Sequence, residues 1–128
     1  MRAKIPSFDV LVVDDNPATR HGLKLLLSLE GDIGNVFEAS EWIEVRKMVE
    51  EAHPDIVLVD VRMPGLSGIE IARRIKASDP EIHLVAMSMV ADSEANALNA
   101  GADLFVEKSR LVTDIRSIIP NDQHTVAG

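Results

Sequence analysis

Five polar residues in this chain each stand at the end of an apolar run. Asp14 and Asp15 close Val10-Leu11-Val12-Val13, and Asp60 closes Ile56-Val57-Leu58-Val59. Ser88 ends the run from Ile82 to Met87, and Lys108 comes just after Leu104-Phe105-Val106. Carboxylates gathered in one place repel one another and hold protons more tightly. An oxygen-seeking divalent cation removes that repulsion, and Mg²⁺ commonly takes one or two carboxylates, several waters and a phosphate oxygen. No cysteine is present, and none of the four histidines falls at the carboxyl end of an apolar run, so nothing favours a softer metal. With Asp14 and Asp15 holding Mg²⁺, Asp60 is left as a nucleophile, and a carboxylate can attack a phosphoryl group to form an acyl phosphate. Lys108 would balance the charge of the transferred group, and Ser88 could donate a hydrogen bond to one of its oxygens. Taken singly, each residue has an ordinary reading: a solvated acid at a strand end, or a surface lysine paired with Glu107.

The elements that must position these residues follow from the apolar pattern. Short unbroken runs rich in Val and Ile read as strands buried on both faces. The central one spans Ile56 to Val59, and Pro64-Gly65 turns the chain out of the sheet soon afterwards. Phe8 to Val13 forms the first strand. Asn16 caps the first helix with Pro17 at its first position; Leu23, Leu26 and Leu27 give it an apolar face and Gly31 ends it. Val36 to Ala39 is a short second strand near the sheet edge. Ser40 caps a second helix that carries Trp42, Val45, Met48, Val49 and Ala52 inward, and His53-Pro54 breaks it. Ser67 and Glu70 have the spacing of a capping box for a third helix burying Ile69, Ala72 and Ile75. Asp92 or Ser93 starts a fourth helix that ends at Gly101. Ser109 caps a last helix with one stripe of Leu111, Val112, Ile115, Ile118 and Ile119, stopped by Pro120. His83 lies inside the fourth strand and reads as structural.

Five strands alternating with five helices predict an α/β fold, a doubly wound parallel sheet with right-handed crossovers. In such a sheet all strands end on one rim, and ligands bind outside it. Asp14, Asp15, Asp60, Ser88 and Lys108 therefore share one edge.

Composition narrows the function. The chain has 128 residues, enough for one domain that buries its own core. A net charge of −8 argues against direct nucleic-acid binding, and one tryptophan, three phenylalanines and no tyrosine argue against a base-stacking platform. No apolar stretch reaches the roughly 18 residues of a membrane span. Met1 to Pro6 lacks the apolar region of a secretory signal, and the chain reads as cytoplasmic.

These residues resemble the receiver domain of bacterial two-component response regulators, over about residues 7–120. The resemblance implies a flavodoxin-like (CheY-like) sheet of order 2-1-3-4-5. It implies that Asp60 is the phosphoacceptor and that Asp14, Asp15 and Asp60 hold Mg²⁺ together with the backbone carbonyl of Arg62. It makes Lys108 and Ser88 the other catalytic groups, and Ser88 and Phe105 the switch pair. A histidine kinase or a phosphohistidine transfer protein would supply the phosphoryl group. The face of helix 4, strand 5 and helix 5 would then change its preference for an effector domain or downstream protein, and a homodimer is plausible through that face or helix 5. Residues 121–128 would be a polar tail or the start of a linker to an effector domain. Leu104 to Lys108 looks more like the receivers of nitrate/LuxR-type regulators than those of the winged-helix group.

Some positions depart from the usual family pattern. Met89 stands where a small residue is usual and is expected to restrict donors. Arg62 and Val90 sit where side chains can influence water attack on the phosphoryl group; Val90 cannot hold a water by hydrogen bonding, so slow autodephosphorylation is expected. Phe105 lacks a tyrosine hydroxyl and must act by packing. Ser109 stands where many receivers have proline, often on a cis bond, which is costly without proline. Among rival functions, an aspartyl-nucleophile phosphatase would need a second acid at position 62, which is arginine. A pseudo-receiver, acting only as an interaction module, normally lacks part of the acid pocket. A flavin binder would need a Gly/Ser/Thr-rich loop after the first strand.

Overall fold

Residues 7–120 are described by the structure, a computed structural model. Five strands, β1 (Phe8–Val13), β2 (Ile33–Ala39), β3 (Ile56–Asp60), β4 (His83–Ser88) and β5 (Leu104–Glu107), form one sheet in the order β2-β1-β3-β4-β5. Every pairing is parallel, and Val13, Val59 and Ala86 lie side by side across β1, β3 and β4. Five helices alternate with the strands: α1 (Pro17–Ser28), α2 (Trp42–Ala52), α3 (Gly68–Ser78), α4 (Glu94–Asn99) and α5 (Lys108–Thr113). Short 3₁₀ turns at Ala91–Ser93 and Ile115–Ile118 complete the chain. This is the predicted architecture and strand order.

The alternation of side chains along each strand divides the core into two layers. Leu11, Val13, Val57, Val59, Leu84 and Ala86 pack with Val45, Ile71, Ala72 and Ile75 of α2 and α3. Val10, Val12, Ile56, Leu58, Val85 and Met87 pack with Leu23 and Leu27 of α1, and with Leu111, Ile115 and Ile118. Helices on both faces explain why β1 and β3 read as unbroken apolar runs rather than alternating ones. Each such side chain contributes roughly 1.5–3 kcal/mol by leaving water. Among the described residues, no helix is long and apolar enough to cross a membrane.

The helix starts bear out two of the expected caps. Asn16 Oδ1 accepts the Thr19 amide at 3.0 Å, with Pro17 at the first helical position. Ser67 Oγ accepts the Glu70 amide at 3.3 Å. The Glu70 carboxylate turns to Arg73 and Arg74 instead of back to Ser67, so only half the capping box forms.

Other local expectations are corrected. Ser40 does not cap α2, which starts after Glu41; its amide and hydroxyl instead donate to Glu44 Oε1 at 2.7 and 3.0 Å. A capping serine must accept a helix amide with its Oγ, whereas here the hydroxyl is turned to donate to a carboxylate, a strong charge-assisted acceptor. Helix α1 ends at Ser28, before Gly31, and β2 starts at Ile33, because the Leu29 and Glu30 amides close the last turn onto Leu26 and Leu27. In α3 the fully buried residues are Ile71, Ala72 and Ile75, with Ile69 only partly covered. The fourth helix splits into a 3₁₀ turn and α4, which closes at Gly101 with φ +115°.

The last helix differs most. It starts at Lys108, not after a Ser109 cap, and it breaks at Asp114, whose φ is −144°. Leu111, Ile115, Ile118 and Ile119 are buried as expected, while Val112 is 67% exposed. After the break, Arg116 binds Glu30 at 2.9 Å and Asp32 at 2.8 Å, which fixes the 3₁₀ turn to the α1–β2 connection. No described peptide bond is cis, and β5 passes straight into α5. The readings made for Met1 to Pro6 and for residues 121–128 lie outside the described residues.

Candidate functional site

The carboxyl ends of β1, β3 and β4 and the start of α5 converge on one rim. Asp14, directly after β1, is fully buried, while Asp15 beside it is exposed. Asp14 is fixed by its surroundings: its amide donates to the Ala39 carbonyl at 3.2 Å, and its Oδ1 accepts the Asn16 amide at 2.9 Å. The Arg20 guanidinium donates to its carbonyl at 2.8 Å. Asp60, the last residue of β3, is 5% exposed. Its Oδ1 accepts the Arg62 amide at 3.0 Å and its Oδ2 accepts Lys108 Nζ at 2.9 Å. The chain just past Asp60 is held to β4 by the Val61 amide on the Met87 carbonyl, at 3.0 Å.

Lys108 joins the two buried acids. Its ammonium lies 2.8 Å from Asp14 Oδ2 as well as 2.9 Å from Asp60. The contact with Asp14 is an ion pair whose angle is poor for a hydrogen bond, so the buried Oδ2 has no well-aimed donor. The surface pairing with Glu107, the ordinary alternative, is not the one formed. Ser88 is fully buried at the end of β4, and its Oγ accepts the Val90 amide at 3.4 Å. Phe105 is not at the rim; it sits half-buried in β5, against the layer that holds α2 and α3. His83 lies at the other end of β4, where burial holds its pKa below the usual imidazole value.

The electrostatics follow from burial and pairing. Burial pushes the Asp60 carboxyl up from its ordinary pKa; the Arg62 amide and Lys108 pull it down without fully offsetting that, and the charge of Asp14 adds to the rise. Burial works against the charge of Lys108, but its pairing with the Asp14 and Asp60 carboxylates outweighs it, and its pKa is raised. Carboxylate oxygens of Asp14, Asp15 and Asp60 lie within 4.8 Å of one another. Three acids facing one ammonium leave an excess of negative charge. The all-oxygen donor set and the poorly satisfied Asp14 Oδ2 suit a hard divalent cation such as Mg²⁺.

One contributor escaped the sequence reading, and a second was read without its partner. Gly68, the first residue of α3, lies directly against the backbone of Asp60 and Val61; a Cβ there would fall 2.6 Å from Val61 Cα. Glycine is a poor choice for a first helical turn, and that oddity was the available signal. The second is the Arg62 guanidinium, expected beside the phosphoryl site but not in a pair with Asp92. One of its nitrogens, Nη2, donates to both carboxylate oxygens of Asp92, at 2.9 and 3.0 Å. Thirty residues separate the two, and no local spacing links them.

Comparison with known proteins agrees with this geometry. The family model of the response regulator receiver domain matches residues 10–119. The nitrate/nitrite response regulator protein NarL of Escherichia coli is 32% identical over 108 residues, covering 83% of this chain and 50% of the relative. Response regulator protein VraR of Staphylococcus aureus is 33% identical over 112 residues, 86% of this chain and 54% of its own. The chain spans about half the length of the curated relatives it matches. A two-component response regulator of the LuxR family from Aurantimonas superposes with TM-score 0.77 at 30% identity, over 88% of this chain and 84% of that one. The response regulator domain of Thermotoga maritima CheB gives 0.75 at 26%, over 90% and 98%. Sheet order, rim chemistry and relatives agree: the chain belongs to the response regulator receiver domain family, and its relatives are of the nitrate/LuxR type.

Proposed function

We propose that this chain is a phosphoacceptor switch in which Asp60 takes a phosphoryl group from a phosphohistidine donor, a histidine kinase or a transfer protein. One observation carries the reading: Asp60 is a buried carboxylate with a raised pKa, held beside Asp14 and Lys108 at the open rim of the sheet. An Asp60 oxygen attacks phosphorus and the P–N bond to the donor imidazole breaks; that nitrogen keeps the bonding pair, and with the ring's other nitrogen carrying the proton a neutral imidazole leaves. Asp14, Asp15, Asp60 and the Arg62 carbonyl would hold Mg²⁺, which when bound supplies positive charge beside the phosphoryl oxygens. Lys108 pairs with one phosphoryl oxygen, and the Ser88 hydroxyl leaves the Val90 amide to donate to another. Phe105 follows into the space vacated. The face of α4, β5 and α5 then prefers a different partner, as a population shift between two states.

The chain acts as a covalent acceptor and not as a turnover enzyme. We assign residues 1–120 to the receiver and 121–128 to a tail or linker toward an effector domain. The relatives' names refer to transcriptional and nitrate/nitrite regulation, which supports a cytoplasmic regulator acting through a DNA-binding effector, with dimerisation as a further expectation. Intact-mass measurement with acetyl phosphate and Mg²⁺ tests the core of this reading. One phosphoryl group should add to the wild type and none to Asp60→Ala. Labelling of Asp60→Ala, or none of the wild type, would refute it; the latter would favour a pseudo-receiver.

A further inference from the structure

The pair between Arg62 and Asp92 ties the turn after β3 to the 3₁₀ turn after β4. Arg62 leaves the sheet two residues after Asp60, and its amide is bonded to the Asp60 carboxylate. Its guanidinium reaches across to Asp92, which lies in the 3₁₀ turn Ala91–Ser93 that leads directly into α4. Asp92 Oδ1 also faces the Ser93 hydroxyl at 3.4 Å. The Arg62 side chain is 59% exposed and that of Asp92 is 66% exposed. Exposed ion pairs are weak, so this one can be outcompeted.

We propose that Arg62 changes partner when Asp60 is phosphorylated: its guanidinium leaves Asp92 for the phosphoryl oxygens, and the loss of that tether frees the start of α4. This rests on the assignment of Asp60 as phosphoacceptor. A phosphoryl group brings about two negative charges and three strong acceptor oxygens. It would appear beside a rim that already holds three carboxylates and one ammonium. Arginine's planar fork, anchored two residues away, can pair with those oxygens through two nitrogens, whereas it holds Asp92 through Nη2 alone. The exchange couples the modified residue to the α4 end of the output face through one side chain. By linkage, weakening the pair from the Asp92 side favours the phosphorylated form, by at most the factor the pair itself was worth.

The probe is beryllofluoride with Mg²⁺, a phosphoryl analogue that binds carboxylate reversibly, titrated by amide chemical shifts. Asp92→Asn should bind it about two- to fivefold more tightly than wild type, the range an exposed pair allows. Arg62→Ala should bind it more weakly than wild type, and Arg62→Lys should fall between the two. In the Arg62→Ala background, Asp92→Asn should change affinity little. Asp92→Asn alone should also reproduce part of the shift that the analogue causes in the amides of residues 91–99. An equal effect of Asp92→Asn with and without Arg62, or no shift in those amides, would overturn the exchange while leaving Asp60 as acceptor. Failure of the wild type to bind, or binding to Asp60→Asn, would overturn the acceptor assignment itself. Because both side chains are exposed, the substitutions leave the packed core untouched.

Discussion

Gly68 packs its α-carbon against the Asp60 backbone. A side chain there would meet Val61 Cα at 2.6 Å and the Asp60 carbonyl carbon at 2.7 Å. These are main-chain atoms of the strand that carries the acceptor, so they cannot swing aside. Gly68→Ala should therefore cost at least the ~1–3 kcal/mol of an overpacked core. It should also displace Asp60 and slow its labelling. Denaturant unfolding and acetyl-phosphate labelling measure the two effects; a stable, normally labelled Gly68→Ala would show that α3 can move off the strand.

Lys108 is the cation shared by two buried acids. Removing one partner of a buried pair costs up to about 3–5 kcal/mol, because the remaining charge is left uncompensated. Lys108→Ala should lose a large part of that, and Mg²⁺ should restore more stability to the variant than to the wild type. Thermal unfolding with and without Mg²⁺ tests this.

Asp60 carries a raised pKa, chiefly from burial. For a raised group, the stabilising contribution is complete below the ordinary carboxylate pKa and is lost as pH rises through the folded value. At neutral pH the ionised Asp60 is thus a net cost without Mg²⁺. Asp60→Asn should be more stable than wild type at pH 7, and the gap should narrow as pH falls through the carboxylate range. Lys108, also raised, keeps its full contribution below the ordinary lysine pKa and loses it only as pH rises from there through its elevated value, so it does not distort this window.

Met89 is 69% exposed and borders the same depression as Ala18, Thr19 and Lys108. Its bulk beside the rim is expected to restrict donors. Met89→Ala should raise the labelling rate with acetyl phosphate several-fold; an unchanged rate would remove Met89 from any role in access.

Val90 follows Met89 and is 47% exposed, with an apolar side chain that cannot orient water. Phosphorylated wild type should lose its label slowly, and Val90→Asn should shorten the lifetime several-fold. The decay of the labelled mass over time, in isolated protein, measures both.

How much of this was readable in advance depended on the range of the interaction. The buried strands were plain because two covered faces demand continuous apolar runs. Asn16 with Pro17, and Ser67 three before Glu70, announced their helix starts because capping is a local matter. The last helix misled because Leu111, Ile115 and Ile118 keep helical spacing across the break at Asp114. The contact that holds the chain after that break runs from Arg116 to Glu30 and Asp32, far away in sequence. Ser40 misled for a smaller reason: a nearby carboxylate, Glu44, took both of its donors.

For the site, the sequence by itself determined the inventory. Each of Asp14, Asp15, Asp60, Ser88 and Lys108 ends or follows an apolar run, and parallel strands must bring such ends to one rim. Only the tertiary structure decided how they pair. Lys108 chooses Asp14 and Asp60 over its neighbour Glu107, Gly68 backs the acceptor strand, and Arg62 reaches Asp92. Spacing along a chain predicts what a strand delivers to the rim. Burial and charge, summed over elements distant in sequence, select which of the delivered groups bind one another.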